Sequence, residues 1–259
     1  MVRRFRVELG RLAAVCPESW SRPMGNGQEF RAGVWPRATL LGRLPAKVVD
    51  QVLTAGVERK LCSGRPLIRE GELEGYAFVL VRGIVKVTAA TETGEALLAI
   101  RVGGDLVGEM GVLEKAPRSA TVTACTPVWT RVVHRNEFLD LMRRSPDFSV
   151  EVAAMISWRL RWANRRRLEF AGQPARVRVC RVLDEIVDTY GARHGSTWSL
   201  GVPLTQAEIA SLAGIALRTA EKELGQLEQD GVVVRRYRAT EVADRDALRL
   251  IANGGTNPH

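Results

Sequence analysis

The stretch Asp105-Leu-Val-Gly-Glu-Met-Gly-Val-Leu-Glu-Lys-Ala-Pro-Arg-Ser-Ala-Thr-Val-Thr-Ala gathers the residue types that a small anion bearing a sugar would need. Gly108 lets a ligand approach the backbone, and the Glu109 carboxylate can accept hydrogen bonds from sugar hydroxyls. A short helical turn from Glu109 to Leu113, with Met110 inside it, would present amide N–H groups. Arg118 and Ser119 can clamp a phosphate by a charge-assisted bond plus a hydroxyl. A carboxylate and a guanidinium nine residues apart on one loop suit a ligand having both ribose and phosphate.

A second constellation runs from Leu204 to Glu228 and fits two helices meeting at a sharp turn. Thr205 with Glu208 forms a capping box, Ala210 is small where the helices cross, and Gly214 supplies a positive φ. Ile209, Ile215, Leu224 and Leu227 form the shared core. The second helix then presents Arg218, Lys222 and Gln226 on one face at i, i+4 and i+8, placed for the major groove of double-stranded DNA. Gly231-Val-Val-Val-Arg-Arg-Tyr-Arg follows as a strand-turn wing carrying Arg235, Arg236 and Arg238. Alone, the charged face would be an ordinary solvated helix; the two-helix pattern together with the wing favours DNA. Gly225 in mid-helix costs about 1 kcal/mol against Ala, and Glu223 stands where a core-facing apolar residue is usual.

Two such sites need two domains, which 259 residues accommodate. With 46% hydrophobic and 26% charged residues the chain can bury a core, and no apolar run approaches the ~18 residues of a membrane span. A cytoplasmic protein without membrane contact is expected. The cysteines (Cys16, Cys62, Cys125, Cys180) are scattered, suggesting neither a zinc ribbon nor a disulfide framework, and no metal is expected. The net charge of +9 favours polyanionic partners, and eight arginines between Arg159 and Arg181 centre the positive field.

Residues 1–34, broken by Pro17, Pro23, Gly25 and Gly27, read as a flexible arm. From Trp35 to Ser63 the spacing of Leu40, Leu41, Leu44, Val48, Val49, Val52 and Leu53 predicts helix. Short strands follow at Tyr76 to Val81, Ile84 to Thr88, Ala96 to Arg101, Ala120 to Ala124 and Trp129 to Val133, with glycine turns between them, as in a small closed β structure. Asn136 is read as the N-cap of a short helix to Met142, and Ser145-Pro146 breaks it. Phe148 to Phe170 is one long helix whose apolar positions Phe148, Val152, Met155, Ile156, Leu160 and Ala163 form a narrow seam; a second copy of the chain is the simplest cover for it. Trp158 and Trp162 are expected to fill that seam or roof the β structure. Gly172-Gln173-Pro174 ends the helix, and residues 253–259 are a tail. No phosphate-loop, zinc-protease or serine-nucleophile motif is present, and His134, His194 and His259 are dispersed, so no enzyme is expected.

The order of β roll, loop, long helix and winged helix-turn-helix from Trp35 to Ala252 resembles the Crp/Fnr family of bacterial transcription regulators. The resemblance implies an α+β fold with an N-terminal cyclic-nucleotide-binding-type β roll (35–147), a long dimerisation helix (148–172) and a C-terminal winged helix-turn-helix DNA-binding domain (173–252). It also implies a homodimer, RNA polymerase as a further partner, and cyclic AMP or another cyclic nucleotide as effector. In members that bind cyclic AMP, the positions of Gly108 and Glu109 hold the ribose and those of Arg118 and Ser119 the cyclic phosphate. The adenine contact comes from the long helix, usually Thr followed by Ser or Asn; here the pair is Ala163-Asn164, so Asn164 keeps one contact and the hydroxyl is lost. In the second helix the usual Ser-Arg-Glu-Thr reads Ala216-Leu217-Arg218-Thr219, so the familiar operator is not implied. Thr205, Thr219 and Lys222 match phosphate- or base-contacting positions, and Gln206 and Arg236 are placed beside them. Two alternatives stay open: the same architecture with no nucleotide effector, constitutive or sensing another anion or redox state, and a protein-interaction module with a degraded helix-turn-helix.

Overall fold

The computed structural model describes residues 35–92, 94–236 and 239–254, so the arm, most of the tail, Thr93 and Arg238 lie outside the described residues. Helices α1 (Leu40–Arg43) and α2 (Ala46–Thr54) lead into eight strands. One antiparallel sheet is ordered β1-β8-β3-β6, from Val57–Leu61, Val128–His134, Tyr76–Arg82 and Leu106–Val107. Another is ordered β2-β7-β4-β5, from Pro66–Ile68, Thr121–Ala124, Ile84–Thr91 and Gly94–Val102. Leu67, Phe78, Leu80, Val85, Val122 and Val132 form one apolar cluster, while Ala77, Val79 and Val133 pack with α1 and α2. That two-sided cover explains why Tyr76 to Val81 is a nearly unbroken apolar run.

The helix expected over Trp35 to Ser63 stops at Thr54, and Val57–Leu61 is instead an edge strand paired with β8. Gly56 makes the switch at φ +63°, where a Cβ would lie 2.0 Å from the Val132 carbonyl oxygen. An edge strand reading Val-Glu-Arg-Lys-Leu is mostly polar, so its periodicity is silent. The strand Pro66–Ile68, three residues long, is too short to show a period.

Helix α3 (Glu109–Glu114) lies in the loop, and α4 spans Arg135–Arg144, one residue before the expected cap, with His134 at the N-cap. Ser145 then caps α5 (Pro146–Gly172): its hydroxyl accepts from the Phe148 N–H, and Pro146 fills the first turn, where no N–H partner is needed. At 27 residues α5 is about 40 Å long.

The N-terminal half of the seam foreseen on α5 is covered by the chain's own fold. Phe148, Val152 and Met155 are buried against α1, α2 and the first sheet, with Ile156 packed beside them. Leu160, 61% exposed, and Ala163 of the same seam stay exposed, and a second exposed stripe runs through Val150, Ala154, Ser157, Arg161, Asn164 and Leu168, spaced at alternating four and three. Trp158 is 43% exposed, and Trp162 Nε1 donates to Glu185 Oε1 at 2.6 Å in the following helix. Sequence spacing found the helix but could not say which of its two usable stripes the β roll would take.

The C-terminal region comprises α6 (Ala175–Tyr190), the hairpin β9 (Ala192–His194) and β10 (Thr197–Ser199), α7 (Gln206–Ala213), α8 (Leu217–Gln229), β11 (Val233–Arg236), β12 (Ala239–Val242) and α9 (Arg245–Ala252). Its core centres on Leu183, Ile209, Leu224, Leu227 and Leu248, each 0% exposed. Leu97 and Ile100 of β5 join the same cluster, and Tyr190 Oη donates to the Ile100 carbonyl at 3.2 Å, so this region is seated on the edge of the β roll.

Among the cysteines, Cys62 is disulfide-bonded, against the sequence reading, whereas Cys125 and Cys180 are free thiols. Distance along the chain did not reveal that pairing. No helix among the described residues is long and apolar enough to cross a membrane.

Candidate functional site

Gly108 joins β6 to α3 at φ +80°, a left-handed conformation that glycine takes without strain. A Cβ there would lie 2.8 Å from Arg118 Nη1, and one on Gly111 would lie 3.0 Å from the same atom. The two glycines thus make the bed for the guanidinium. Arg118 is 4% exposed, donates from Nη1 to the Gly108 carbonyl at 2.6 Å, and from Nη2 to the Tyr76 carbonyl. Its Nε is buried with no partner. Burial pulls Arg118 below the ordinary arginine range, while the fields of Glu74, Tyr76, Glu109 and Glu72 oppose that shift.

Glu109, also 4% exposed, is not free: its Oε1 accepts from Arg159 Nη1 of α5 at 2.8 Å. Arg159 Nη2 donates to the Leu106 carbonyl at 2.8 Å and stands 3.6 Å from Asp105. Burial pushes Asp105 above the usual carboxylate range, against the lowering fields of Arg101 and Arg159. An ionised carboxylate has about four lone-pair positions, so Glu109 can hold Arg159 and still accept from a hydroxyl. Met110 is 46% exposed, and Ser119 is exposed beside the buried Arg118. Asn164 is exposed on the α5 stripe that carries Val150, Ser157 and Leu168. Arg159 was missed in the sequence because it is one of eight arginines in a run, and nothing in that run marks the inward-facing one.

The helix-turn-helix forms as its pattern demands. Thr205 Oγ1 accepts from the Glu208 N–H at 3.2 Å, and Glu208 Oε2 accepts from the Thr205 N–H at 2.8 Å, closing the capping box. Gly214 ends α7 at φ +61°. Arg218, Lys222 and Gln226 are exposed along α8, with Thr219 half-buried beside them. Gly225 does not break α8, and Glu223 is half-buried rather than in the core. On the wing, Arg235 holds Glu228 at 2.7 Å and Arg236 Nε lies 3.2 Å from Glu241. The Arg235 N–H and guanidinium draw the Glu228 carboxyl below its usual range.

The arginine run from Arg159 to Arg181 contributes less outward charge than its sequence promises. Arg159 serves Glu109, Arg166 binds Glu185 and the Leu212 carbonyl, and Arg176 pairs with Asp230. Arg178 donates to the Gly214 carbonyl at 3.0 Å and Arg181 to the Ala252 carbonyl at 2.7 Å. Arg161, Arg165 and Arg167 remain exposed. Guanidinium forks are efficient at tying helix ends to neighbouring helices, and five of the eight do that here.

The pattern of the cyclic nucleotide-binding domain matches residues 58–145, and that of the Crp-like helix-turn-helix domain matches residues 177–251. The cyclic AMP receptor protein of Thermus thermophilus is 31% identical over 215 residues, 82% of this chain and 95% of that protein. A CRP-like cAMP-activated global transcriptional regulator of Mycobacterium tuberculosis is 25% identical over 186 residues, 71% of this chain and 83% of that protein. Among solved structures, the c-di-GMP responsive global regulator CLP of Xanthomonas campestris has the same fold, with a TM-score of 0.68 at 20% identity over 77% of this chain and 100% of that one.

Proposed function

The chain belongs to the Crp/Fnr family of DNA-binding transcription regulators, and on that premise we propose that it is a homodimer whose DNA affinity is set by a cyclic nucleotide, cyclic AMP first among them, held between Gly108 and Ser119. The observation that carries this reading is the buried guanidinium of Arg118, cradled by Gly108 and Gly111 with its Nε unpartnered. A buried donor without an acceptor is costly, and a phosphate oxygen would supply one. The acidic surroundings from Glu72, Glu74 and Glu109 favour the single charge of a cyclic phosphate over a dianion. Glu109 would accept from the ribose, Met110 and Ser119 would border the ligand, and Asn164 would reach the base from the stripe that also joins two copies.

The stripe Val150, Ala154, Ser157, Arg161, Asn164 and Leu168 repeats every three and four residues along α5, the spacing of a two-helix contact, and Val150 and Leu168 are 64% and 76% exposed. DNA would meet Thr205, Gln206, Arg218, Thr219, Lys222 and Arg236. Recruitment of RNA polymerase belongs to the same reading, and a catalytic role does not.

Calorimetric titration with cyclic AMP tests the pocket. Arg118→Leu is expected to weaken binding about tenfold or more, because a hydrogen bond to a charged group contributes ~1.5–3 kcal/mol; identical heats in both proteins would remove the assignment.

A second reading has its own support. Arg159 already occupies Glu109, two carbonyls already hold Arg118, and Ala163 lacks a hydroxyl, so the loop could keep its shape with no nucleotide. Absence of heat with every cyclic nucleotide tried on the wild-type chain would favour it.

A further inference from the structure

The carboxylate that caps the first helix of the helix-turn-helix is paired with a residue from the other domain. Glu208 closes the capping box of α7 with its Oε2, which accepts from the Thr205 N–H at 2.8 Å and lies 3.1 Å from Thr205 Oγ1. A carboxylate at a helix N-terminus stabilises the helix. On the assignment of Thr205 as a phosphate-contacting position, it also sets a negative charge beside that contact. The remaining oxygen, Oε1, is 2.6 Å from the ammonium of Lys86, on β4 of the β roll. Both side chains are largely withdrawn from water, at 16% and 22% exposure. Among the described residues Lys86 is the cation paired with Glu208. Val182 to Arg249 carries eight basic and eleven acidic residues, a net −3, and the wing cations Arg235 and Arg236 are engaged by Glu228 and Glu241.

We propose that Lys86 is a positioning residue for DNA recognition: by neutralising Glu208 it lets a backbone phosphate approach the Thr205 end of α7, so that the β4–β5 hairpin of the effector domain is part of the DNA interface. The inference rests on the assignment of Thr205 as a phosphate-contacting position. The hairpin is held there by more than the ion pair, since Leu97 and Ile100 are 3% and 5% exposed within the apolar cluster of the DNA-binding domain. Lys86 pairs with Ile100 across the β4–β5 ladder, so the charge and the apolar seat share one register. A shift of the hairpin therefore changes the charge that a phosphate meets at α7, without any movement inside the helix-turn-helix.

The test is binding of the full chain to a random-sequence duplex across a salt series, because phosphate contacts are independent of sequence. Lys86→Met is expected to weaken binding about threefold to tenfold, the effect of one uncancelled charge at several ångströms in a mostly aqueous setting, and to reduce the slope of log affinity on log salt by about one. Glu208→Gln keeps the capping box without the charge, so added to Lys86→Met it restores affinity to within about twofold of wild type. Glu208→Gln alone, which needs no tolerance of a change at Lys86, binds as tightly as wild type or tighter. Lys86→Met binding as wild type or tighter, a loss that Glu208→Gln does not rescue, or weaker binding by Glu208→Gln alone each overturns the proposal. If the wild-type chain shows no salt-dependent duplex binding, the Thr205 assignment fails first and takes the proposal with it; normal wild-type binding with an indifferent Lys86→Met defeats the proposal only.

Discussion

The effector loop and the recognition helix hold their charged groups in opposite ways. In the loop, Arg118 lies under two backbone carbonyls and Glu109 under Arg159, both residues 4% exposed. On α8, Arg218 and Lys222 are exposed to solvent. A ligand at the loop would meet buried groups already held in place, with Arg118 Nε and the spare lone pairs of Glu109 left to bind it, which favours a small ligand of matched shape. On the proposed function, DNA at α8 would meet side chains that need only shed water and counterions, which favours attraction first and discrimination later. One site is built to select, the other to arrive.

The sharpest way to break that contrast is to unfold one half. Leu224, 0% exposed in the helix-turn-helix core, when changed to Ala should cost ~2–5 kcal/mol in the stability of the DNA-binding domain. Denaturant titration of the full chain should then show the C-terminal transition moving to lower denaturant, with loss of duplex binding while nucleotide heat at the loop is retained. A single shifted transition with both activities gone would show that the seat of Leu97 and Ile100 makes the halves one cooperative unit.

A smaller effect separates free from engaged cations on the DNA side. Lys222→Ala should lower the salt slope of duplex binding by about one, whereas Arg236→Ala should change it less, because Glu241 already offsets that charge at 3.2 Å. Equal slopes for the two variants would mean that the wing pairs open on contact with DNA.

The smallest expected effect concerns the thiols. Burial pushes Cys125 up to about 11 and Cys180 up to about 12, so thiolate is scarce at pH 8 and alkylation of the folded chain should be slow. Cys125, only partly buried, should react before Cys180, which is 0% exposed. The reverse order, read by mass spectrometry, would mean that the C-terminal core opens more readily than the β roll.

Much of the fold was legible where local chemistry speaks for itself. The capping box at Thr205, the glycine turn at 214 and the strand run at Tyr76 each carry their own signal, and each is in place. Legibility failed where a polar residue's role is decided by what folds against it. Val57–Leu61, which falls within the helix expected over Trp35 to Ser63, is a strand, because its partner β8 lies some 70 residues along the chain. The stripe of α5 that faces inward was chosen by the first sheet. At the loop, Glu109 and Arg118 were visible by type and spacing, but Arg159 there and Lys86 on β4 were not, since each acts on a residue 50 or more positions distant.

Arg159, Trp162 and Arg166 point to one side of α5 and reach, in turn, the effector loop, the first helix of the C-terminal domain and the carbonyl end of α7. Spaced at three and four residues on a single rod, they have no independent freedom. On the proposed function, a roll of that rod about its own axis would tug on the effector loop and on the helix-turn-helix together, in the manner of a camshaft whose lobes share one timing.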